Sequence, residues 1–258
     1  MDIPGYEQEY VATPRETIVE LLRSANRLDG TVPIRRSFLQ QGTGRDPTPG
    51  PLSVLVRHGD RRGLDLYLLL KAVASSPPYN SHRGAGVWAR ALRHSGVTAD
   101  ERAISKIWAR LDSLALVSRS RLGRLADVTL LREDGSGEPY THPGTDGHPY
   151  FQLPVAYWLD QVGRWSETLS LPAKAMLLIA HSLQPGFVLP VEKAPAWYGV
   201  SADTAQRGLA LLVRRGVLTR AKVPKKAPLA PLGFTTDSRY TLQGALAGRR
   251  AQRGNGDA

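Results

Sequence analysis

Two stretches of the chain have apolar positions spaced as in an amphipathic helix that runs directly into a strand. In the stretch 198–220, the apolar side chains recur every four and three residues and so share one helical face. They are Ala205, Leu209 and Leu212. Ser201 precedes them as an expected helix N-cap, and Gly216 follows them as an expected left-handed stop. Residues 217–220 are then predicted to form the departing strand.

The stretch 97–119 repeats this order of cap, apolar stripe and strand. Its stripe consists of Ile104, Ile107, Leu111 and Leu114. The segment 97–100, Val-Thr-Ala-Asp, aligns with Val-Ser-Ala-Asp at 200–203. Measured along the sequence, the two strands are two residues closer together than the two caps are. The first copy therefore has more residues between cap and strand, which predicts a longer helix there.

Each copy follows two further segments with helical character. Apolar helices are predicted over 64–74 and 171–182, and middle helices over 87–94 and 191–198. Three helices followed by a hairpin, repeated after about a hundred residues, indicate two small domains of one type rather than a solenoid, whose period is shorter.

The segment 198–220 resembles the recognition helix and first wing strand of winged helix-turn-helix transcription factors. It resembles in particular the GntR-like pattern of a small hydroxyl residue, Thr204, then a basic residue, paired leucines and a glycine before the strand. The resemblance implies two winged helix-turn-helix domains in tandem, a mainly α fold with small β-hairpin wings (α+β). It also implies recognition helices in the major groove of DNA, with wings on the backbone or minor groove.

The predicted domain boundaries follow changes in composition. Residues 1–50 form an arm with one short helix, begun by the capping sequence Thr13-Pro14-Arg15-Glu16, and 51–132 form the first winged domain. A Gly- and Pro-rich linker at 133–149 leads to the second domain at 150–243 and a disordered basic tail at 244–258. The apolar face of the arm helix needs a partner, either the first domain or a second copy of the chain in a homodimer.

Several local elements are also predicted. Residues 29–51 lack periodicity and are expected to be a mobile basic arm, and 54–56 are expected to form a strand. The aromatic segment 150–165 has helical spacing and is expected to be one core-packed helix. The second hairpin is expected to lack a regular ladder because it contains prolines at 224, 228 and 231.

Charge and composition narrow the function. The net charge of +11 and pI near 10.2 suit a partner that is either nucleic acid or an anionic membrane. Apolar runs such as 175–180 are far shorter than a span of about 20 residues, and the acidic start lacks a signal-peptide core, so a cytoplasmic, nucleoid-associated protein without membrane contact is expected.

No enzyme site is expected. Cysteine is absent from the sequence, which excludes disulfides, thiolate nucleophiles and cysteine zinc sites. His142, Asp146 and His148 raise a metal hypothesis, but their spacing matches no closed ligand set, and a polar linker accounts for them. We therefore expect no cofactor, no metal and no catalytic residue.

The sequence predicts a sequence-specific protein for double-stranded DNA, most directly a transcriptional regulator. A plasmid- or phage-type replication initiator that binds origin repeats is the alternative, and an accessory subunit of a chromosome-condensing complex, which binds protein, is a third reading. The expected DNA-binding residues lie on the two recognition helices and wings: Arg102, Ser105, Lys106, Arg110, Arg121, Arg124, Ser201, Ala202, Asp203, Thr204, Gln206, Arg207, Arg214, Lys225 and Lys226.

Overall fold

The computed structural model describes residues 11–42, 47–123, 125–229 and 231–247. The helices are α1 (Pro14–Ser24), α2 (Leu52–Arg57), α3 (Arg61–Val73), α4 (Ala85–His94), α5 (Glu101–Ser113), α6 (Ala156–Leu159), α7 (Trp165–Thr168), α8 (Leu171–Ser182), α9 (Ala194–Tyr198) and α10 (Ala202–Arg214). The strands are β1 (Thr31–Arg35), β2 (Gln40–Gln41), β3 (Thr48–Pro49), β4 (Asn80–Ser81), β5 (Val117–Leu122), β6 (Leu125–Leu130), β7 (Tyr150–Pro154), β8 (Phe187–Val188), β9 (Leu218–Lys226) and β10 (Phe234–Leu242). Short 3-10 turns span Arg36–Phe38, Val191–Lys193 and Gly244–Leu246.

One order of elements occurs twice. Residues 61–130, the first unit, contain α3, β4, α4, α5, β5 and β6 in that order, and residues 171–242, the second unit, contain α8, β8, α9, α10, β9 and β10. The three strands of each unit form an antiparallel sheet with the last strand in the middle, β4-β6-β5 and β8-β10-β9. The chain is thus a mixed α/β protein with small antiparallel sheets, compatible with the expected α+β class.

The two corresponding helices have equal length, so the expectation of a longer first helix is wrong. Both α5 and α10 contain 13 residues, and their N-caps, Asp100 and Ser201, are 101 positions apart. The same offset relates their buried faces: Ile104, Ile107, Trp108 and Leu111 in α5 correspond to Ala205, Gly208, Leu209 and Leu212 in α10. The alignment of 97–100 with 200–203 misled because Asp100, not Thr98, caps α5.

The segment 31–41 is ordered, which corrects the expected mobile arm. Strand β1 pairs antiparallel with β7 over five residues, from Thr31 opposite Pro154 to Arg35 opposite Tyr150. Four consecutive residues of β1 are buried, so the strand is covered on both faces. Its sequence therefore lacks the alternation of apolar and polar residues by which a half-exposed strand is predicted.

Three other local expectations are corrected. Residues 54–56 lie within helix α2 rather than in a strand. The segment 150–165 is divided among strand β7 and the short helices α6 and α7, and Val162 is 95% exposed although Trp158 is buried. The ladder of β9 with β10 is regular and includes Pro224 opposite Thr236. Because β9 is the edge strand of its sheet, proline is tolerated there.

Helix α1 covers the first unit. Its apolar residues Ile18 and Leu22 are fully buried, and the helix packs mainly on α4. The side chain of Arg90 on α4 donates a hydrogen bond from Nε to the hydroxyl of Thr17 at 2.7 Å. Within the described residues, the first of the two expected partners, the first domain, therefore takes this face; a homodimer stays a prediction.

The two units share one apolar core, and buried ion pairs join its elements. Lys174 of α8 and Asp65 of α3 are both buried, with Nζ and Oδ1 2.5 Å apart. Glu133 is fully buried between Lys71 of α3 and Arg35 of β1, at 2.6 and 2.7 Å. The segment 133–149 is thus a long loop without regular helix or strand whose first residue is anchored in the core.

The start of the expected tail is also packed, since Leu246 is buried in the turn Gly244–Leu246. The expected disorder of 248–258, and of 1–10 and 43–46 in the arm, falls on residues outside those that the structure describes.

Candidate nucleic-acid interface

Helix α10 presents a polar face opposite its packed face. Gly208, on the packed side, approaches α8 so closely that a Cβ built there would lie 2.5 Å from the carbonyl oxygen of Pro172. The outer residues are exposed: Asp203, Gln206, Arg207, Ala210 and Arg214. Packing on α8 therefore fixes which side chains of α10 face solvent.

The first turn of α10 is held by its own hydroxyl groups. The Ser201 hydroxyl accepts a hydrogen bond from the backbone N–H of Thr204 at 3.2 Å and donates to the Thr204 hydroxyl at 2.8 Å. This confirms Ser201 as the N-cap. Ala202, the first helical residue, is half-buried. Ser201 and Thr204 therefore have a structural task at this end of the helix, and their contact with DNA stays a prediction.

Arg207 is oriented by an acidic neighbour one turn earlier. Its Nη2 lies 2.8 Å from Oδ2 of Asp203, and both side chains are well exposed, at 64% and 75%. An exposed pair of this kind contributes little to stability. The pair can therefore open at small cost when another acceptor approaches Arg207.

Helix α5 presents the corresponding positions of the first unit. Arg102, Ser105 and Lys106 are exposed on the side opposite the buried stripe. With the offset of 101, Ser105 and Lys106 correspond to Gln206 and Arg207. The Ser105 hydroxyl donates to the carbonyl of Glu101 at 3.2 Å. Both units thus place a hydrogen-bonding residue and then a cation at the same two positions.

Arg110 differs from the other expected contacts because its guanidinium is already engaged. Its Nε and Nη2 donate to the two carboxylate oxygens of Asp60 at 2.9 and 2.8 Å. Asp60 is also the N-cap of α3, where it accepts from the N–H of Gly63 at 2.9 Å. This bidentate pair ties α5 to the start of α3, so Arg110 positions the helix.

The first hairpin, β5 and β6, is short. Arg121 is exposed near its turn, whereas the expected residue Arg124 lies outside the part of the chain that the structure describes. Arg119, nearer the base, pairs with Asp112 of α5 at 3.1 Å. The hairpin thus presents Arg121 to solvent and uses Arg119 to fix its base to the helix.

The second hairpin is longer and projects from the unit. Its strands have nine residues each, and residues on both faces of the outer half are exposed, so nothing within the described chain covers it. The expected residues Lys225 and Lys226 are exposed, and Lys225 lies 3.7 Å from Asp237 across the ladder. Because the outer part of this hairpin packs against so little, its order depends chiefly on the backbone hydrogen bonds between β9 and β10.

The expected residue set omitted several cations of this hairpin. Arg220, Lys222 and Arg239 are also exposed on its strands. Arg220, Lys222 and Lys226 are separated by even numbers of residues and so share one face of β9. That period of two is visible in the sequence, but the three prolines predict an irregular arm there and so obscure it.

The residues of the metal hypothesis are engaged otherwise. Asp146 forms an ion pair with Arg35, and its Oδ2 accepts from Arg35 Nε at 3.1 Å. His142 Nδ1 accepts from the backbone N–H of Gly144 at 3.1 Å. No group of three or more His, Cys, Asp or Glu side chains that could hold a metal ion occurs in the described ranges.

Three side chains of the core have shifted pKa values. Burial lowers the pKa of Lys174 to about 8, opposed by the negative charge of Asp65, and burial raises the pKa of Asp65 against the attraction of Lys174. Burial also lowers the pKa of His181 to about 4. Part of His181 reaches the surface, but its Nε2 is shielded from solvent and has no hydrogen-bond partner among the described residues. These groups lie in the core on which α10 packs and not on the exposed face of α10.

Comparison of the chain with protein-family models, with curated proteins and with solved structures gave no match. The functional assignment therefore rests on the residues and their geometry. In the described ranges, no helix has the length and apolar content that crossing a membrane requires.

Proposed function

We propose that the chain binds double-stranded DNA through two tandem winged helix-turn-helix domains, with α5 and α10 as recognition helices. The observation that carries the proposal is the recurrence, at equivalent positions of two units with one element order, of an exposed polar residue followed by a cation. Ser105 and Lys106 stand in one unit, and Gln206 and Arg207 in the other. The winged-domain reading itself is supported by the helix-strand-helix-helix-hairpin order of each unit.

The outer side chains of α10 suit base reading. The major groove of B-DNA, about 12 Å wide, admits an α-helix, and each base pair presents a distinct donor and acceptor pattern there. Arginine pairs with the two acceptors of guanine, and glutamine with the donor and acceptor of adenine. Gln206 and Arg207 are adjacent on the exposed face, so they can address neighbouring base pairs.

The hairpins suit contact with the phosphate backbone. Residues 218–242 carry five Lys or Arg and one Asp, which leaves a positive surface on the second hairpin. Cations that neutralise phosphates supply affinity without reading sequence. We assign Arg220, Lys222, Lys225 and Lys226 this role, together with Arg121 of the first hairpin.

The contacts between the units favour a site of fixed length. The buried pair of Lys174 and Asp65 joins α8 to α3. Arg61 of α3 also donates from Nη2 to the carbonyl oxygens of Ser95 and Glu167 at 2.7 and 2.9 Å, which joins the first unit to helix α7, directly before the second unit. Two recognition helices held by such contacts would read two half-sites at one spacing, as dimers of simpler DNA-binding domains do.

We propose regulation of transcription as the use of this binding. Binding to origin repeats as a replication initiator requires the same surfaces and differs in where the sites lie, so genomic footprinting separates the two: sites at promoters support regulation, and clustered repeats beside an origin support initiation. The exposed cations on both helices and hairpins argue against the third reading, a subunit of a condensing complex that binds protein alone.

The test is selection of duplexes from a randomised pool by the purified chain, followed by affinity measurements on the recovered sequence. Lys106→Gln and Arg207→Gln each remove one cation from equivalent positions of α5 and α10. Arg15→Gln on α1 removes one exposed cation that lies outside the proposed recognition helices and the hairpins. We expect the first two to weaken binding at least about 5-fold, the low end of about 1–3 kcal/mol for a base contact, and the control to leave it nearly unchanged. Equal effects of all three, or no recovered sequence, would contradict the proposal.

A further inference from the structure

The tip of the second hairpin exposes large apolar side chains beside its cations. Leu229 is fully exposed at 102%, Leu232 at 76% and Phe234 at 48%, all within six residues. Single exposed apolar residues are common on protein surfaces, whereas a cluster marks a contact with another molecule. Within the described chain nothing packs against Leu229.

The backbone of the tip is restrained where it leaves the ladder and at two prolines. The backbone N–H of Ala227 donates to the carbonyl of Gly233 at 2.9 Å and closes the turn next to the end of the ladder. Pro228 and Pro231 fix their own φ angles inside the turn. Each backbone angle fixed in this way reduces the conformational freedom that the tip loses when it inserts into a partner.

The paired strands β9 and β10 form the stem of this hairpin, and the cations of the stem identify the chemistry of that partner. Lys225 and Lys226 are exposed where the ladder ends, directly before the apolar tip, and Lys222 precedes them on the same strand. A nine-residue strand is about 30 Å long, so the tip stands well away from the unit. A duplex presents phosphates that match the stem and stacked apolar base faces that match the tip.

We propose that Leu229, Leu232 and Phe234 form a wedge that enters the minor groove, separates one base step and bends the bound DNA. The inference rests on the proposed function and adds to it an architectural activity. Apolar wedges that partly unstack a base step kink duplexes by about 20–90°. In the first hairpin the ladder extends to Leu122 opposite Leu125, so only two residues of the sequence lie between its strands.

The experiment uses the full chain and a 30-bp duplex, roughly three helical turns, recovered from the randomised pool and labelled at both ends with a fluorescent donor and acceptor. Anisotropy of one label measures binding, and energy transfer between the labels measures bending. The wedge variant combines Leu229→Ser, Leu232→Ser and Phe234→Thr, all at exposed positions. The matched control is Val162→Thr, which removes an exposed apolar side chain outside the hairpin; Val162 is 95% exposed.

We expect the wild type and the control to raise energy transfer on binding, and the wedge variant to bind with little or no rise. Binding without a rise by the wild type, or an undiminished rise with the wedge variant, overturns the wedge and leaves the proposed function intact. Absence of binding in the anisotropy channel overturns both. Co-sedimentation of the wild type, but not of the wedge variant, with vesicles of phosphatidylserine and phosphatidylcholine would assign the tip to a membrane surface and overturn the wedge.

Discussion

The close approach of α10 to α8 at Gly208 can be tested by one added methyl group. In Gly208→Ala the new Cβ would lie 2.5 Å from the carbonyl oxygen of Pro172 and 2.5 Å from Cγ of Met176. Cβ atoms essentially never lie this close to other heavy atoms, so one helix must shift. Met176 can change rotamer, but the carbonyl of Pro172 belongs to the backbone of α8 and moves only with the helix.

Two opposing effects set the size of the change. Alanine is better than glycine in a helix interior by about 1 kcal/mol. An extra methyl group forced into a packed contact costs about 1–3 kcal/mol. Since the contact includes backbone, we take the upper half of that range and expect Gly208→Ala to lower the free energy of unfolding by about 1–2 kcal/mol.

The assay is urea denaturation, with Gly86→Ala on α4 as the matched control. There a Cβ would meet only the carboxylate end of the Glu101 side chain, at 2.9 Å, which a change of rotamer can move away. The control is expected to unfold at the wild-type midpoint or above it, by up to about 1 kcal/mol. A Gly208→Ala variant as stable as the wild type, or more stable, would refute the packing of α10 on which the exposed face depends.

Three further outcomes are expected. Lys174→Met leaves the Asp65 carboxylate buried without its main partner and should cost about 3–5 kcal/mol in urea denaturation, and adding Asp65→Leu should restore most of that loss. His181 has a folded pKa of about 4 against about 6.5 unfolded, so the unfolded chain takes up the proton first and stability falls between pH 6.5 and 4, by about 3 kcal/mol in all; His181→Leu should flatten the pH dependence over that window, and an equal dependence would contradict it. Arg207→Ala should cost about 1–3 kcal/mol of DNA affinity and relax preference at one base pair, whereas Lys225→Ala should weaken all sequences alike, a contrast that selections on randomised DNA can measure.

The helices of the second unit were largely predictable because their signals are local. The N-cap Ser201, the stripe of α10 and the left-handed Gly216, with φ +70°, all lie within 16 residues and behave as expected. In the first unit the corresponding left-handed position is Ala115, with φ +52°, which no local rule assigns. Strand β5, which follows Ala115, is predicted only because the first unit repeats the order of the second.

What the sequence did not predict depends on contacts between distant residues. Strand β1 exists because it pairs with β7, more than a hundred residues later, and its burial on both faces hides the strand pattern. Arg110 and Asp60 are 50 positions apart in the sequence, and only the fold brings the guanidinium to the carboxylate. The exposed face of α10 was predictable; which of its cations are engaged was not.

The binding of duplex DNA as a function of salt tests the central claim most directly. About six phosphate contacts from the helices and hairpins should give a slope near −5 in a plot of log affinity against log salt, at about 0.9 per phosphate. Removing Lys225 should flatten that slope by about one unit. A full-length chain that binds no duplex, or binds it with a slope near zero, would contradict the account.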